Sequence, residues 1–420
     1  MYNSPYRLLT ILFVAVLFTN PVLAVDTSTS ITGSVLSESG KVLAGAIIEI
    51  THIPSGTSKI LNTNQAGEYR ARGLRVGGPY TITVSSQNYK TKKFSDIFLR
   101  LDDNYTLSIN LAINSEVEGI TVLGNAELYQ RQGTYSIFSE EDIDQAALVN
   151  RDIKDLVRIN PLAVVDPTGN ELSIAGSNPK YNSFNLDGVA VSDTFGLNAN
   201  GYPAQRPPVS LNAISQISID YAPFNARASK FTGGTINVVT KSGSNNFSGD
   251  IFYESTPING KAIDNRLNLN NEGQASKYEF SNDEVTYGAT LGGAIIKDKL
   301  FYFASYEEWS DEIIFNYDLD TLAGHRVTIN ETQQVLDALS TVYKLNDSIG
   351  RVPPSDSDKK LLLKLDWNIN NSHRADFTYN NQKNSAALNY TNSISRVNFA
   401  SNQYSQDAET SIFTSHLFSD

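Results

Sequence analysis

From Asn245 onward, apolar and polar side chains exchange places residue by residue over several stretches. A period of two is satisfied by extended strands whose two faces meet different surroundings, and not by helices. Phe247, Ile251 and Tyr253 share one face, as do Val285, Tyr287, Ala289 and Leu291. Leu363, Leu365, Trp367 and Ile369 repeat the pattern, and Asn370-Asn-Ser-His373 turns the chain back into Ala375, Phe377 and Tyr379. Roughly six or seven such strands fit between Asn245 and Asp420 at about ten residues each plus connections. Apolar-out and polar-in alternation is the signature of a strand wall that crosses a membrane, with Tyr and Trp near strand ends suiting the interfacial belt. The alternative for those aromatics is an ordinary half-buried sheet. Between Asn330 and Asn346, Val335, Leu336, Leu339, Val342 and Tyr343 form one helical face, predicted to lie in an extracellular loop.

A membrane-spanning helix needs about twenty successive apolar residues. The longest apolar run, Leu8 to Phe18, is shorter and sits at the N-terminus behind Arg7. With Val22-Leu23-Ala24 after it, this reads as an export signal cleaved after Ala24; a buried N-terminal helix is the weaker alternative, because no amphipathic period is present. The chain is therefore expected to leave the cytoplasm. It contains no cysteine, so disulfides, thiolate metal sites and a cysteine nucleophile are all excluded. A formal charge of −12 argues against a nucleic-acid partner, which needs a basic face.

From Ser30 to Ile113, short β-rich runs alternate with turn residues: Ile31 to Val35, Ala46 to Ile50, Tyr80 to Val84 and Tyr105 to Ile109. Gly40, Gly45, Gly67, Gly73, Gly77 and Gly78 stand between them, where reversals need backbone angles that glycine adopts freely. The pattern predicts a small antiparallel β-sandwich. Gly33-Ser-Val35, Gly40 to Ala46, Asn64 to Tyr69 and Gly78 to Val84 resemble the carboxypeptidase regulatory-like domain, a non-catalytic module with a carbohydrate-binding-like fold. None of His52, His325, His373 and His416 begins a pattern that could hold a hydrolytic zinc.

Between Ser139 and Asn160 the pattern turns helical. Ser139 can cap a helix with Asp142 three residues on, and a second helix is predicted from Arg151 to Ile159, with Ile153, Leu156 and Val157 on one face and Pro161 ending it. Strand signals return in Glu171 to Ile174, Ser183 to Gly188, Ile214 to Ile219 and Thr235 to Thr240, so a compact α+β unit is expected. Asp155 to Pro161, Asn185 to Val189, Ile214 to Ile219 and Gly233 to Gly243, taken in order, resemble the plug of TonB-dependent outer-membrane receptors. Ile219 to Gly234 departs from the siderophore receptors and is similar to the Oar-like branch. That branch also carries a segment similar to Tyr287 to Phe303. Gly233, Gly234 and the Asp187-Gly188 pair read first as structural turns and only second as ligand contacts.

The resemblance implies a mainly β protein: signal peptide (1–24), small β-sandwich (30–113), linker (116–124), α+β plug domain (125–244), and the first strands of an incomplete transmembrane β-barrel (245–420). It implies an outer-membrane transporter or receptor whose linker residues Glu118, Gly119, Ile120, Thr121 and Val122 form a TonB box, the segment gripped by an inner-membrane TonB-type complex through strand addition; an ordinary interdomain strand is the alternative. The sandwich and the box would face the periplasm and the outer wall would meet membrane lipid. The extracellular ligand stays open among peptide or protein, oligosaccharide and metal chelate. Whether the sandwich binds sugar or acts as a spacer or signalling module also stays open, the latter favoured. Plugged transporter barrels have about 22 strands, so the chain reads as the N-terminal piece of a longer protein or as a truncated gene. A secreted or surface-attached binding protein without transport is the second reading; no catalytic constellation, metal or cofactor site supports an enzyme.

Overall fold

The computed structural model describes residues 28–101, 104–113, 135–146, 151–166, 171–193, 198, 200–221, 233–263, 277–315, 329–344, 355–370, 373–389 and 403–419. The expected export signal with Ala24, and the linker with Glu118 to Val122, lie outside these residues.

β-branched residues alternate with polar ones through β1 (Thr29–Ser37), β2 (Ile47–His52), β3 (Thr57–Asn62), β4 (Glu68–Leu74), β5 (Gly77–Ser85), β6 (Lys92–Leu99), β7 (Asn104–Thr106) and β8 (Ile109–Leu111). One sheet runs β4-β1-β7, with β8 also on β1; the other runs β3-β2-β5-β6. Their inner faces bury Ile31, Val35, Ile48, Ile50, Ile82, Val84, Leu99 and Ile109. The Tyr69 hydroxyl donates to Leu107 O at 2.8 Å, and burial pushes that phenol up.

The sandwich is not antiparallel throughout. The run expected as one strand from Tyr105 to Ile109 is split into β7 and β8, and both lie parallel to β1. The final segment crosses over the sandwich and returns alongside the first strand. It comes so close at Leu107 that a Cβ on Gly33 would collide with the Leu107 carbonyl. Gly40, Gly45, Gly67, Gly73 and Gly77 do hold positive φ. Gly78 does not; a Cβ there would lie 2.6 Å from Ile97 O, so space and not backbone angle requires it.

The second unit comprises β9 (Tyr135–Ser139), α1 (Glu140–Gln145), α2 (Ile153–Val157), β10 (Ala163–Val165), β11 (Leu172–Ile174), β12 (Ser183–Leu186), β13 (Val189–Ala190), β14 (Ile214–Asp220) and β15 (Thr235–Thr240). The sheet order is β13-β12-β15-β14-β9, with β12 and β15 parallel. Ser139 caps α1 in a capping box with Asp142, as expected. α2 is shorter than expected because Arg151 takes positive φ and Asp152 is the cap; Ile153, Leu156 and Val157 are nevertheless fully buried. Asp187 (φ +43°) and Gly188 (φ +78°) form the turn between β12 and β13, the pair of positive angles that a two-residue hairpin requires. Gly233 and Gly234 are structural for a different reason from the one expected: neither has positive φ, and a Cβ on Gly234 would lie 2.6 Å from the Ile174 side chain.

The third region is an antiparallel meander of six long strands: β16 (Ser248–Ile263), β17 (Lys277–Ile296), β18 (Leu300–Phe315), β19 (Ser355–Asn368), β20 (His373–Asn389) and β21 (Gln403–Ser419). Their 14 to 20 residues exceed the roughly 9–11 that a tilted strand needs to cross the hydrocarbon layer. β16 and β21 stand at the two edges, so the sheet is an open wall. β17 reaches β18 through three residues, 297–299, with Asp298 at φ +63°. Helix α3 (Ile329–Val342) lies in the connection between β18 and β19, where the sequence placed a helix.

Candidate functional site

The wall has two chemically opposite faces. Ile251, Tyr253, Tyr287, Leu291, Leu363, Leu365, Trp367, Phe413 and Leu417 are exposed on one. The other buries Thr286, Thr290, Ser305, Glu307, Asp358, Lys360, Lys364, Asp366, Thr378, Asn380, Gln382 and Asn384 against the α+β unit. The polar face is not purely polar: Phe301, Phe303, Trp309 and Leu362 are buried there, and Phe303 and Leu362 join the apolar core of the α+β unit. Trp309 is therefore turned inward by its register position on β18, whereas Trp367 is exposed on the outer face.

At one point of contact, segment 206–210 lies on the wall. Pro207 and Pro208 have no N–H, so this stretch offers mainly carbonyl acceptors. The wall answers with side-chain amide donors: Gln382 Nε2 donates to Arg206 O and Pro207 O at 3.1 and 3.2 Å, and Asn380 Nδ2 to Pro208 O at 3.0 Å. The Arg206 guanidinium stacks 4.3 Å from the Trp309 ring centroid. Ser210 Oγ donates to Glu307 Oε2 at 2.6 Å, while Lys360 Nζ lies 2.7 Å from Glu307 Oε1 and 3.2 Å from Asp358 Oδ2. Arg151 adds an ion pair to Glu254 at 2.9 Å, bonds Asn212, and lies 4.2 Å over the Phe252 ring. A charge taken from water is tolerated only when paired and hydrogen-bonded. Glu307 and Lys360, 2% and 3% exposed, meet that condition through one another and through the α+β unit.

A second point of contact runs through the β12–β13 turn. The Asp187 carboxylate accepts from Thr240 N at 2.9 Å and from Thr240 Oγ1 at 2.6 Å. Lys364 Nζ, from β19, reaches Thr240 O at 3.2 Å, Thr240 Oγ1 at 3.0 Å and Asp187 Oδ2 at 3.8 Å. Asp187 is thus a turn residue that also ties the unit to the wall. Within the unit, Tyr202 donates to Asp152 Oδ1 at 3.0 Å; burial first, then the Asp152 charge, holds that phenol well above its usual range.

The sandwich meets both other regions. Leu101 N donates to Gln216 Oε1 on β14 at 2.8 Å. Arg75 lies 3.3 Å from Asp366 Oδ1 and donates to Asn368 Oδ1 at 3.2 Å. Asn245 N donates to Pro54 O at 2.9 Å and its side-chain amide to Asp298 Oδ1 at 2.7 Å.

Of the residues singled out in the sequence, Asp187, Gly188, Gly233 and Gly234 are all placed in the α+β unit. Glu118 to Val122 lie outside the described residues. The inward charges were not anticipated: a lone Glu307 or Lys360 in an alternating strand reads as an ordinary polar-face residue, and only strand register brings the two opposite. The Pro207-Pro208 pair was the one local signal for the contact.

Residues 30–112 match the family described as "Carboxypeptidase regulatory-like domain", and residues 239–318 match "Outer membrane beta barrel domain". TonB-dependent transporter Oar from Myxococcus xanthus is 29% identical over 298 residues, which cover 66% of this chain and 26% of that protein. The chain thus spans about a quarter of the length of this curated relative. Among solved structures, the outer membrane transporter YddB from Escherichia coli is similar at 16% identity and a TM-score of 0.45, covering 61% of this chain and 33% of that one. The siderophore receptor PirA from Acinetobacter baumannii is similar at 15% identity and a TM-score of 0.36, covering 67% and 44%. These relatives are transporters and receptors, not enzymes. The chain is similar to TonB-dependent transporter Oar, and within it a carboxypeptidase regulatory-like domain match precedes an outer membrane beta barrel domain match.

Proposed function

We propose that the chain is the N-terminal part of a TonB-dependent outer-membrane transporter or receptor in which the α+β unit, 125–244, is the plug. The observation that carries this reading is the inverted wall: large apolar side chains face outward, while Glu307, Lys364, Asn380 and Gln382 hold the unit on the inward face. A barrel in lipid with a protein-filled lumen requires that arrangement. A secreted binding protein would not place Ile251, Leu363, Leu365 and Trp367 together in water.

On this reading, export signal cleavage after Ala24 releases a mature chain whose sandwich, 30–113, stays in the periplasm. The linker 116–124 then presents Glu118, Gly119, Ile120, Thr121 and Val122 to an inner-membrane TonB-type complex by strand addition. The linker precedes β9, one of the two edge strands of the five-stranded sheet, so a pull on it is delivered to a strand paired on one side only. The substrate is an extracellular peptide or protein, oligosaccharide or metal chelate.

Ile120→Pro in the intact protein tests the reading, because proline removes the backbone donor that an added strand needs. The expected result is normal recovery in the outer membrane with loss of photo-crosslinking from position 121 to the inner-membrane partner. Recovery of the wild-type protein in a soluble fraction overturns the membrane reading. Undiminished crosslinking in Ile120→Pro overturns the assignment of the box.

A further inference from the structure

We propose that the cavity at the seam between the sandwich and the turn side of the strand wall binds an oxyanion of the phosphate type. The cavity has a volume of about 310 Å³, room for one tetrahedral oxyanion with a few waters and too little for an oligomeric ligand. The sandwich contributes Lys59, Arg72 and Arg75 to its lining, and the wall contributes Lys299 and Arg374. Asp298 is the one carboxylate among the described lining residues. In a chain with a formal charge of −12, such a gathering of cations is not a consequence of composition.

Two of these cations have unmet hydrogen-bonding capacity. Arg75 is 8% exposed, and its Nε is buried without an acceptor; the Nε of Arg374 is buried without an acceptor as well. Asp366 balances part of this charge by its ion pair to Arg75, and Asp376 is engaged by His416 at 2.7 Å. Guanidinium groups this poorly compensated favour an anion beside them, and phosphate supplies several acceptors in the fork geometry that arginine matches. Both side chains are held in place in advance: Arg374 lies 4.1 Å from the Phe418 ring centroid and Arg75 5.6 Å from that of Phe301. Such fixing lowers the ordering cost of binding. His52, also in the lining, reports the same field. Burial first, then Arg75 and Arg374, hold its imidazole down to about 3, so it stays neutral and bonds Ser55 Oγ through Nδ1 at 2.7 Å.

The inference does not depend on the transport reading, since the site is built from the sandwich and two wall turns. Its test is titration of the intact protein, extracted from outer membranes in neutral detergent, with inorganic phosphate and with dihexanoyl-phosphatidylglycerol, read by calorimetry. Saturable binding that weakens with added salt is expected. The double variant Arg75→Gln/Arg374→Gln should bind about tenfold more weakly, the scale set by losing charge-assisted hydrogen bonds. Asp298→Asn should bind about two- to threefold more tightly by removing a like charge, a gain that misfolding cannot produce. Preference for the lipid identifies a headgroup as the source, and equal or tighter binding of inorganic phosphate identifies a free anion; either supports the site. No saturable binding of either probe by the wild-type protein, undiminished binding by the double variant, or no gain in Asp298→Asn overturns it.

Discussion

The sandwich and the strand wall use the same alternating pattern to opposite ends. In the sandwich, Ile31, Ile48, Ile82 and Leu99 point inward, and charged residues such as Lys93 and Asp96 on β6 point to water. In the wall, Leu363, Leu365 and Trp367 point outward while Lys360, Lys364 and Asp366, their neighbours on β19, are buried. Alternation therefore defines a two-faced strand but not which face is inside. That is decided by what covers each face: an opposing apolar sheet in one region, a hydrogen-bonding partner unit in the other.

If the wall is inverted, its stability rests on paired charges, and the largest effect is expected there. Glu307→Ala leaves Lys360 with Asp358 as its remaining carboxylate and Ser210 without its acceptor, and should cost about 3 kcal/mol. Glu307→Ala/Lys360→Met should recover part of that loss, because it removes the under-partnered cation while Asp358 keeps the Gln382 amide at 2.8 Å. Both tryptophans, Trp309 and Trp367, lie in the wall, so their fluorescence during denaturant unfolding in detergent reads this region. A double variant no better than the single one would show that the pair does not act as a unit.

A matched pair of substitutions then breaks or sharpens the comparison directly. Ile82→Ala in the sandwich core should cost about 2–5 kcal/mol by opening a cavity. Leu363→Arg, at a position 44% exposed, should cost about 2–4 kcal/mol if that face meets lipid, and within roughly 0.5 kcal/mol if it meets water. The readout is unfolding after reconstitution in bilayers, together with recovery in the outer membrane. A silent Leu363→Arg would sink the inverted reading.

The degree to which the sequence announced each feature follows the same division. Strand β15, the α2 face and the Asp187-Gly188 turn were legible because each is set by neighbours within a few residues. The parallel return of β7 and β8 along β1 was not, since their partner lies some seventy residues earlier and period-two patterning is blind to strand direction. The contact of Ser210 with Glu307 joins residues 97 apart and left no periodic trace. Trp309 was not assigned to a face for a related reason: an aromatic near a strand end suits either face, and register alone turns this one inward.

The seam between the two regions carries a smaller, pH-dependent effect. The folded His52 pKa is depressed from 6.5 to about 3 by burial and then by Arg75 and Arg374. The folded imidazole stays neutral while the unfolded one takes up a proton below about 6.5, so this contribution is whole above that value and is lost as pH falls toward 3. The loss should be about 1 kcal/mol by pH 5.5, one unit below the unfolded value. His52→Asn should remove this component from the difference in sandwich stability between pH 7.5 and 5.5, measured in the intact protein. An unchanged difference would place the pH sensitivity elsewhere.

The smallest effect is expected in the α+β unit, between the two extremes, where an exposed capping box fixes the junction of β9 and α1. The Ser139 hydroxyl accepts from Asp142 N at 3.3 Å, and Asp142 Oδ2 accepts from Ser139 N at 2.8 Å. The Ser139 hydroxyl, then its backbone N–H, hold the Asp142 carboxyl below its usual range. A depressed carboxylate contributes above its unfolded pKa and loses that contribution as pH falls through the folded one. Ser139→Ala should cost about 1 kcal/mol at neutral pH and should flatten the acid side of the profile near and below pH 4. Because α1 follows the edge strand β9, the same variant should speed amide exchange across residues 135–145 while leaving β14 and β15, held between neighbours, at their wild-type rates. Loosening that spread to β15 would show that the unit responds as one block, and the distinction between its edge strand and the strands tied to the wall would fail.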